Sequence, residues 1–238
     1  ADNYYIKKDF FNDFMWPKML NSPIKTRGSY VYSDISMYVM QDIVEHISEM
    51  PEDQYVQENF YRPLGMQTAG YLPRNRFTKD RIVPTEDDKV FRKTLLEGYV
   101  HDQGAALKGG VAGHAGLFGS ANDLAIYNQM LLNKGTYGGE QYFTPQTVDT
   151  FTSKQSDVSR RGLGFDRWDP DTTKKYPSSL ASPQTFGHTG YTGIGVWTDP
   201  ARGLIYVFLS NRVNPTVSEQ LGRLNIRPRI QDAIIKAV

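Results

Sequence analysis

Residues 109–135 read GGVAGHAGLFGSANDLAIYNQMLLNKG, a glycine-rich run that gives way at Ser120 to an apolar helical period. Ser120 followed three positions later by Asp123 is a capping box, Leu124, Tyr127 and Leu131 form one face, and Gly135 closes the helix. The glycines of residues 109–119 resemble a phosphate loop only superficially. No Lys-Ser or Lys-Thr follows them and no strand clearly precedes them, so they read as a tight turn beside a cleft.

Upstream of this stretch, Ile35, Val39, Ile43 and Ile47 recur every four residues with Met40 and Val44 beside them, which predicts a buried amphipathic helix. Ser33 or Asp34 supplies its N-cap oxygen, and Met50-Pro51 ends it. Pro51 then opens a short second helix carrying Tyr55, Val56 and Phe60, which stops at Pro63-Leu64-Gly65. Residues 67–104 show no sustained period and read as long surface connections with room for one short helix. Downstream, Ile194, Val196 and the run Leu204 to Leu209 read as short strands joined by a hairpin turn at Asp199-Pro200-Ala201-Arg202-Gly203. Pro228 then starts a terminal helix in which Ile230, Ala233, Ile234 and Val238 pack back on the sheet. The expected class is α/β (α+β), with a mainly helical region over residues 1–115 and, over residues 116–238, a helix, antiparallel strands and a C-terminal helix.

Charge excludes some partners. Lys and Arg total 27 against 26 acidic residues in 238, so no bulk field draws the chain to nucleic acid or to an anionic membrane surface. No stretch reaches the roughly 18 apolar residues of a membrane span, and ADNYYIKKDFFNDF at the start lacks the apolar segment of a signal peptide. With no cysteine, disulfides, thiolate metal sites and a cysteine nucleophile are all excluded, while the compartment stays open.

Two short motifs carry chemistry. Tyr32-Ser33-Asp34 sits at the start of the first long helix, where free amides favour negative charge and a tyrosinate would be stabilised; the plainer reading is a half-buried aromatic followed by a cap. Gly187-His188-Thr189-Gly190 precedes Tyr191-Thr192-Gly193, and its small residues let an acyl ligand lie against a strand edge. The plainer reading there is a glycine-rich strand entry with a solvent-facing histidine. His101, Asp102 and His114 flank the glycine-rich loop without HExxH or comparable spacing, so no metal is expected. His46 is a surface or boundary residue, and the aromatic stretch Tyr4 to Trp16 is packing.

Four segments in order, YSDISMYVMQDIVEHI (32–47), ENFYRPLGMQTAG (58–70), residues 109–135, and FGHTGYTGIGVWTDPARGLIYVFLSNRVNP (186–215), resemble the family of serine β-lactamases, penicillin-binding DD-peptidases and related esterases. The resemblance implies the β-lactamase/transpeptidase-like fold and an acyl-enzyme route to hydrolysis of an ester, amide or β-lactam, with no cofactor. Tyr32 would relay the proton of nucleophile and leaving group. His188 and Thr189 would orient the acyl substrate along with Gly190, and the Tyr191 amide would donate to the oxyanion. Asp34 stands where the family has asparagine, which adds negative charge.

The family's nucleophile lies in a Ser-x-x-Lys motif on a helix well upstream of the tyrosine. Ser22-Pro23-Ile24-Lys25 fits the letters but lies only a few residues before Tyr32, and Pro23 would fall just inside the required helix. The sequence therefore has no credible nucleophile, and the expected partner is a missing N-terminal segment of the same domain. The alternative is a non-catalytic module that binds a muropeptide or a protein partner with a degenerate hydrolase fold. VHDQGAALKGGVAGHAGLFG (100–119) also resembles bacterial envelope proteins in which such a domain follows a β-N-acetylglucosaminidase domain. That likeness implies a periplasmic or extracellular setting and a role in cell-wall or glycan turnover.

Overall fold

Phe11 and Tyr38 meet with ring centroids 5.4 Å apart, inside a cluster completed by Val100, Ala105 and Ala112 with Met15, Trp16 and Met19 against it. This is the core of the first of two units in the computed structural model, which describes residues 1–24 and 26–238. The first unit comprises residues 1–63, 68–119 and 213–216. A π-helical turn at Phe11–Met15 leads into α1 (Trp16–Leu20), so part of the N-terminal aromatic stretch does serve packing, although Tyr5 is exposed.

Helix α2 (Ile35–Ser48) forms where the apolar period predicts it, but a different face is buried. Tyr38 and Gln41 are the buried residues, whereas Met40, Ile43 and Ile47 are exposed. The reason is polar: Gln41 Oε1 accepts from the Gly113 amide (3.2 Å) and its Nε2 donates to Glu45 (3.0 Å), so this face docks the loop at residues 111–114. Asp34 occupies the cap position without a side-chain bond to the helix amides, and Ser33 Oγ accepts from the Ile35 amide instead (3.3 Å). Pro51 then leads into α3 (Glu52–Val56), which continues as a π-helical turn to Tyr61 before the Pro63 break.

Residues 67–104 are more ordered than surface connections. Strands β1 (Pro84–Asp88) and β2 (Thr94–Glu97) pair antiparallel, with Leu96 fully buried. The hairpin lacks an alternating apolar pattern because a polar network supports it. Buried Arg92 donates to Asp88 (2.8 Å), Glu86 (2.8 Å) and the carbonyls of Val100 (2.6 Å) and His101 (2.7 Å). Helix α4 (Gln103–Leu107) follows, capped by Asp102, whose Oδ1 accepts from the Ala105 amide at 2.7 Å.

The second unit comprises residues 64–67, 120–212 and 217–238. Helix α5 (Ala121–Leu132) starts at Ser120, whose hydroxyl accepts from the Asp123 amide (3.3 Å). Gly135 closes it at φ +95, its amide donating to Met130 (2.9 Å). The small hairpin β3 (Thr136–Tyr137) and β4 (Glu140–Gln141) and helix α6 (Pro145–Thr152) come next. The main sheet then runs β5 (Asp166–Arg167), β6 (Phe186–Thr189), β7 (Gly195–Asp199), β8 (Leu204–Phe208), antiparallel in chain order. The turn between β7 and β8 falls where the sequence places it. Thr198 donates to Asn128 (2.9 Å), tying β7 to α5, and both side chains are buried.

Helices α7 (Gln220–Arg223) and α8 (Ile226–Ala237) end the chain. Arg227 donates to the Ile194 carbonyl (2.7 Å) and Tyr206 donates to the Arg227 carbonyl (3.1 Å), so α8 does return to the sheet. Its buried residue is Gln231, while Ile230 and Ile234 stay exposed. Among the described residues no helix is long and apolar enough to cross a membrane.

Candidate active site

The candidate residues fall in two places, each within its own unit. In the second unit, β6 carries His188 and Thr189 opposite Val196 and Gly195 of β7. Gly187 is required there because a Cβ would lie 2.0 Å from the Val196 carbonyl oxygen. On the other side, β5 pairs only with Phe186 and Gly187, so that ladder ends before His188.

His188 is not the solvent-facing imidazole of the plainer reading. Arg161 Nη1 lies 2.8 Å from its Nε2, and its Nδ1 lies 2.7 Å from the Thr189 carbonyl oxygen. A guanidinium only donates and a carbonyl only accepts, so Nε2 accepts and Nδ1 carries the proton. In this arrangement the imidazole is neutral, and the positive charge beside Thr189 belongs to Arg161. The guanidinium is held in turn by Asp166 (3.1 Å), a buried carboxylate that also takes two bonds from Arg160 (2.8 and 2.9 Å) and one from Tyr176 (2.9 Å). Burial opposes ionisation of Asp166, but Arg160, the Arg167 amide, the Arg161 charge and Tyr176 outweigh it and hold its pKa below the ordinary carboxylate value.

Gly190 and Tyr191 open a turn that closes with Gly190 donating to Ile194 (3.0 Å) and Gly193 donating to Gly190 (3.1 Å). Gly193 sits at φ +120, a conformation that other residues rarely adopt. Arg212 staples the turn: Nε donates to the Tyr191 carbonyl (2.7 Å), and the guanidinium lies 4.3 Å from the Tyr191 ring centroid. Arg161 and Arg212 are the residues that motif reading misses. Their signal is tertiary, since Arg161 reaches His188 from a loop outside every named strand.

In the first unit, Tyr32 is exposed just ahead of α2. Asp34 lies with Asp102 and His114, one ligand atom from each being within 4.8 Å of the others. His114 Nε2 is 3.0 Å from Asp102 Oδ1, and the hydrogen bond to His114 holds the Asp102 carboxyl below its usual range. Ser22, from the Ser-x-x-Lys match, follows α1 rather than lying on a helix, and its hydroxyl donates to Met19 (2.7 Å). Lys25 lies outside the described residues.

Known proteins resemble the chain in sequence and in fold. The Beta-lactamase family profile matches residues 4–229. An Escherichia coli protein named "Putative D-alanyl-D-alanine carboxypeptidase" is 38% identical over 204 residues, covering 81% of this chain and 47% of its own length. A Salmonella gallinarum protein of the same name is 37% identical with the same coverage. The chain thus spans about half the length of the curated relatives it matches. Among solved structures, a β-lactamase from Mycobacterium bovis aligns with TM-score 0.60 and 22% identity over 88% of this chain and 64% of that one. A penicillin-binding protein homologue from Caulobacter crescentus aligns with TM-score 0.57 and 20% identity, over 87% and 61%. The profile match over residues 4–229, with a fold of helices and antiparallel sheets shared with solved β-lactamases, establishes that the chain belongs to the β-lactamase family.

Proposed function

We propose that this chain is the C-terminal part of a bacterial envelope serine hydrolase that cleaves a D-alanyl-D-alanine-type amide in cell-wall peptide through an acyl-enzyme. The observation that carries this reading is the Arg161–His188–Thr189 arrangement. A peptide ending in D-alanine presents a carboxylate, and a buried-side guanidinium next to a strand edge suits an extended anionic ligand. The names of the curated relatives support the same substrate class.

In this reading Tyr32 takes the proton from the attacking serine and returns it to the leaving amine. The Thr189 hydroxyl and the Gly190 backbone align the substrate, and the Tyr191 amide donates to the oxyanion. His188 does not deliver a proton; it fixes Arg161. Asp34 adds negative charge beside the tyrosine. The serine and its lysine come from polypeptide upstream of residue 1, so the 238-residue chain is inactive alone. A β-N-acetylglucosaminidase domain fused to the same polypeptide would bring glycan and peptide cleavage together.

The test is acylation of a longer polypeptide, including the upstream sequence, by a fluorescent penicillin. Tyr32→Phe is expected to slow labelling by about 10²-fold or more with the circular dichroism unchanged, since the side chain is exposed. Muropeptide binding without any acylation would replace the hydrolase with a binding module.

A further inference from the structure

Asp34 and Asp102 place two carboxylates close to the His114 imidazole, and no lysine or arginine pairs with either of them among the described residues. Like charges this near repel unless a cation lies between them. A further feature points to the same spot. Tyr38, one helical turn beyond Asp34 on α2, is 5% exposed, and its hydroxyl has no hydrogen-bond partner. Its ring lies 4.7 Å from the His114 ring, centroid to centroid. The His114 side chain that carries Nε2 is itself 8% exposed.

Space at this spot is kept open. A Cβ on Gly104 would lie 2.6 Å from the Tyr38 hydroxyl and 3.2 Å from Asp102 Oδ1, and a Cβ on Gly113 would lie 2.4 Å from the Met37 carbonyl oxygen. Gly113 therefore lets the His114 loop approach α2, and Gly104 leaves room between phenol and carboxylate. The separations suit coordination. Two ligands of one tetrahedral zinc stand roughly 3.3 Å apart when each bond is about 2.0 Å, and the His114 Nε2 to Asp102 Oδ1 distance is 3.0 Å. With all three ligand atoms within 4.8 Å of one another, a small inward movement completes the set.

We infer that Asp34, Asp102 and His114 form a binding site for a divalent cation of the zinc type, with the Tyr38 hydroxyl donating to a water or anion in the cation's remaining position. Two oxygens and one imidazole nitrogen are a donor set that zinc accepts, and three protein ligands leave a position open. Spacing along the chain conceals this set, because Asp34 comes from the first helix while Asp102 and His114 flank the glycine-rich loop. Arg92 supports it by holding the Val100 and His101 carbonyls just before Asp102.

The experiment is isothermal titration of the chain with Zn²⁺ after EDTA dialysis, beside Asp34→Asn, His114→Gln and His46→Gln. One equivalent should bind, with affinity reduced at least about tenfold by Asp34→Asn and by His114→Gln and unchanged by His46→Gln. Asp34 is exposed, so its variant folds and decides the question should His114→Gln not fold. Absence of zinc binding, or binding that Asp34→Asn leaves unaltered, would overturn the inference.

Discussion

At the scale of single residues, one guanidinium decides how the exposed end of β6 is charged. Arg161 donates to His188 Nε2 at 2.8 Å, which forces the proton onto Nδ1 and leaves the imidazole neutral. Arg161→Ala in the longer polypeptide is therefore expected to lower the acylation rate by about 10- to 100-fold, the effect of losing one charge-assisted bond. Arg161→Lys should recover little of it, because an ammonium cannot serve His188 and Asp166 with the same planar fork. Stopped-flow labelling of the two variants checks this, and full recovery by lysine would show that charge alone matters. His188 itself was legible in the sequence as a motif residue, but its protonation was not, because Arg161 comes from a loop without periodicity and becomes visible only in three dimensions.

Among elements, the β1–β2 hairpin shows most clearly what pattern reading loses. Apolar alternation marks strands whose faces are buried by hydrocarbon, whereas this hairpin buries Asp88 and Arg92 and contributes Leu96 as its fully buried apolar side chain. Breaking the network should be costly. Arg92→Ala leaves Asp88 and the Val100 and His101 carbonyls without their donor, so a loss of about 3–5 kcal/mol in urea unfolding is expected, and a loss under 1 kcal/mol would contradict this account of the hairpin. Helix α2 teaches a related point: its existence and limits follow from the sequence, but its buried face follows Tyr38 and Gln41, because amide hydrogen bonds to Gly113 outrank the exposed Ile43 and Ile47. By contrast, α5 and the β7–β8 turn stood out in the sequence, since caps and turn residues act locally.

Across the whole molecule, carboxylates held in hydrogen bonds couple folding to acid. Asp102 is held below its ordinary pKa of 3.8 by His114; for Asp88, Asp166 and Asp199, burial raises the pKa but bonds to Arg92, Arg160, Ser182 and neighbouring amides more than offset it. Each folded-state pKa lies below the unfolded one, so the stabilisation is present above about pH 4 and fades as pH falls toward the folded values. The urea midpoint should hold steady from pH 7 to about 5 and drop by pH 3, and a midpoint unchanged at pH 3 would contradict these assignments.

The family and fold rest on the chain itself, while the proposed activity rests on a nucleophile supplied from outside it. The most direct measurement is peptide mapping by mass spectrometry after incubation with a fluorescent penicillin, of the 238-residue chain and of the polypeptide extended upstream. The account predicts an acyl adduct on a serine ahead of residue 1 in the extended protein and none on the chain alone. An adduct on Ser22, or on any other residue within the chain, would contradict it.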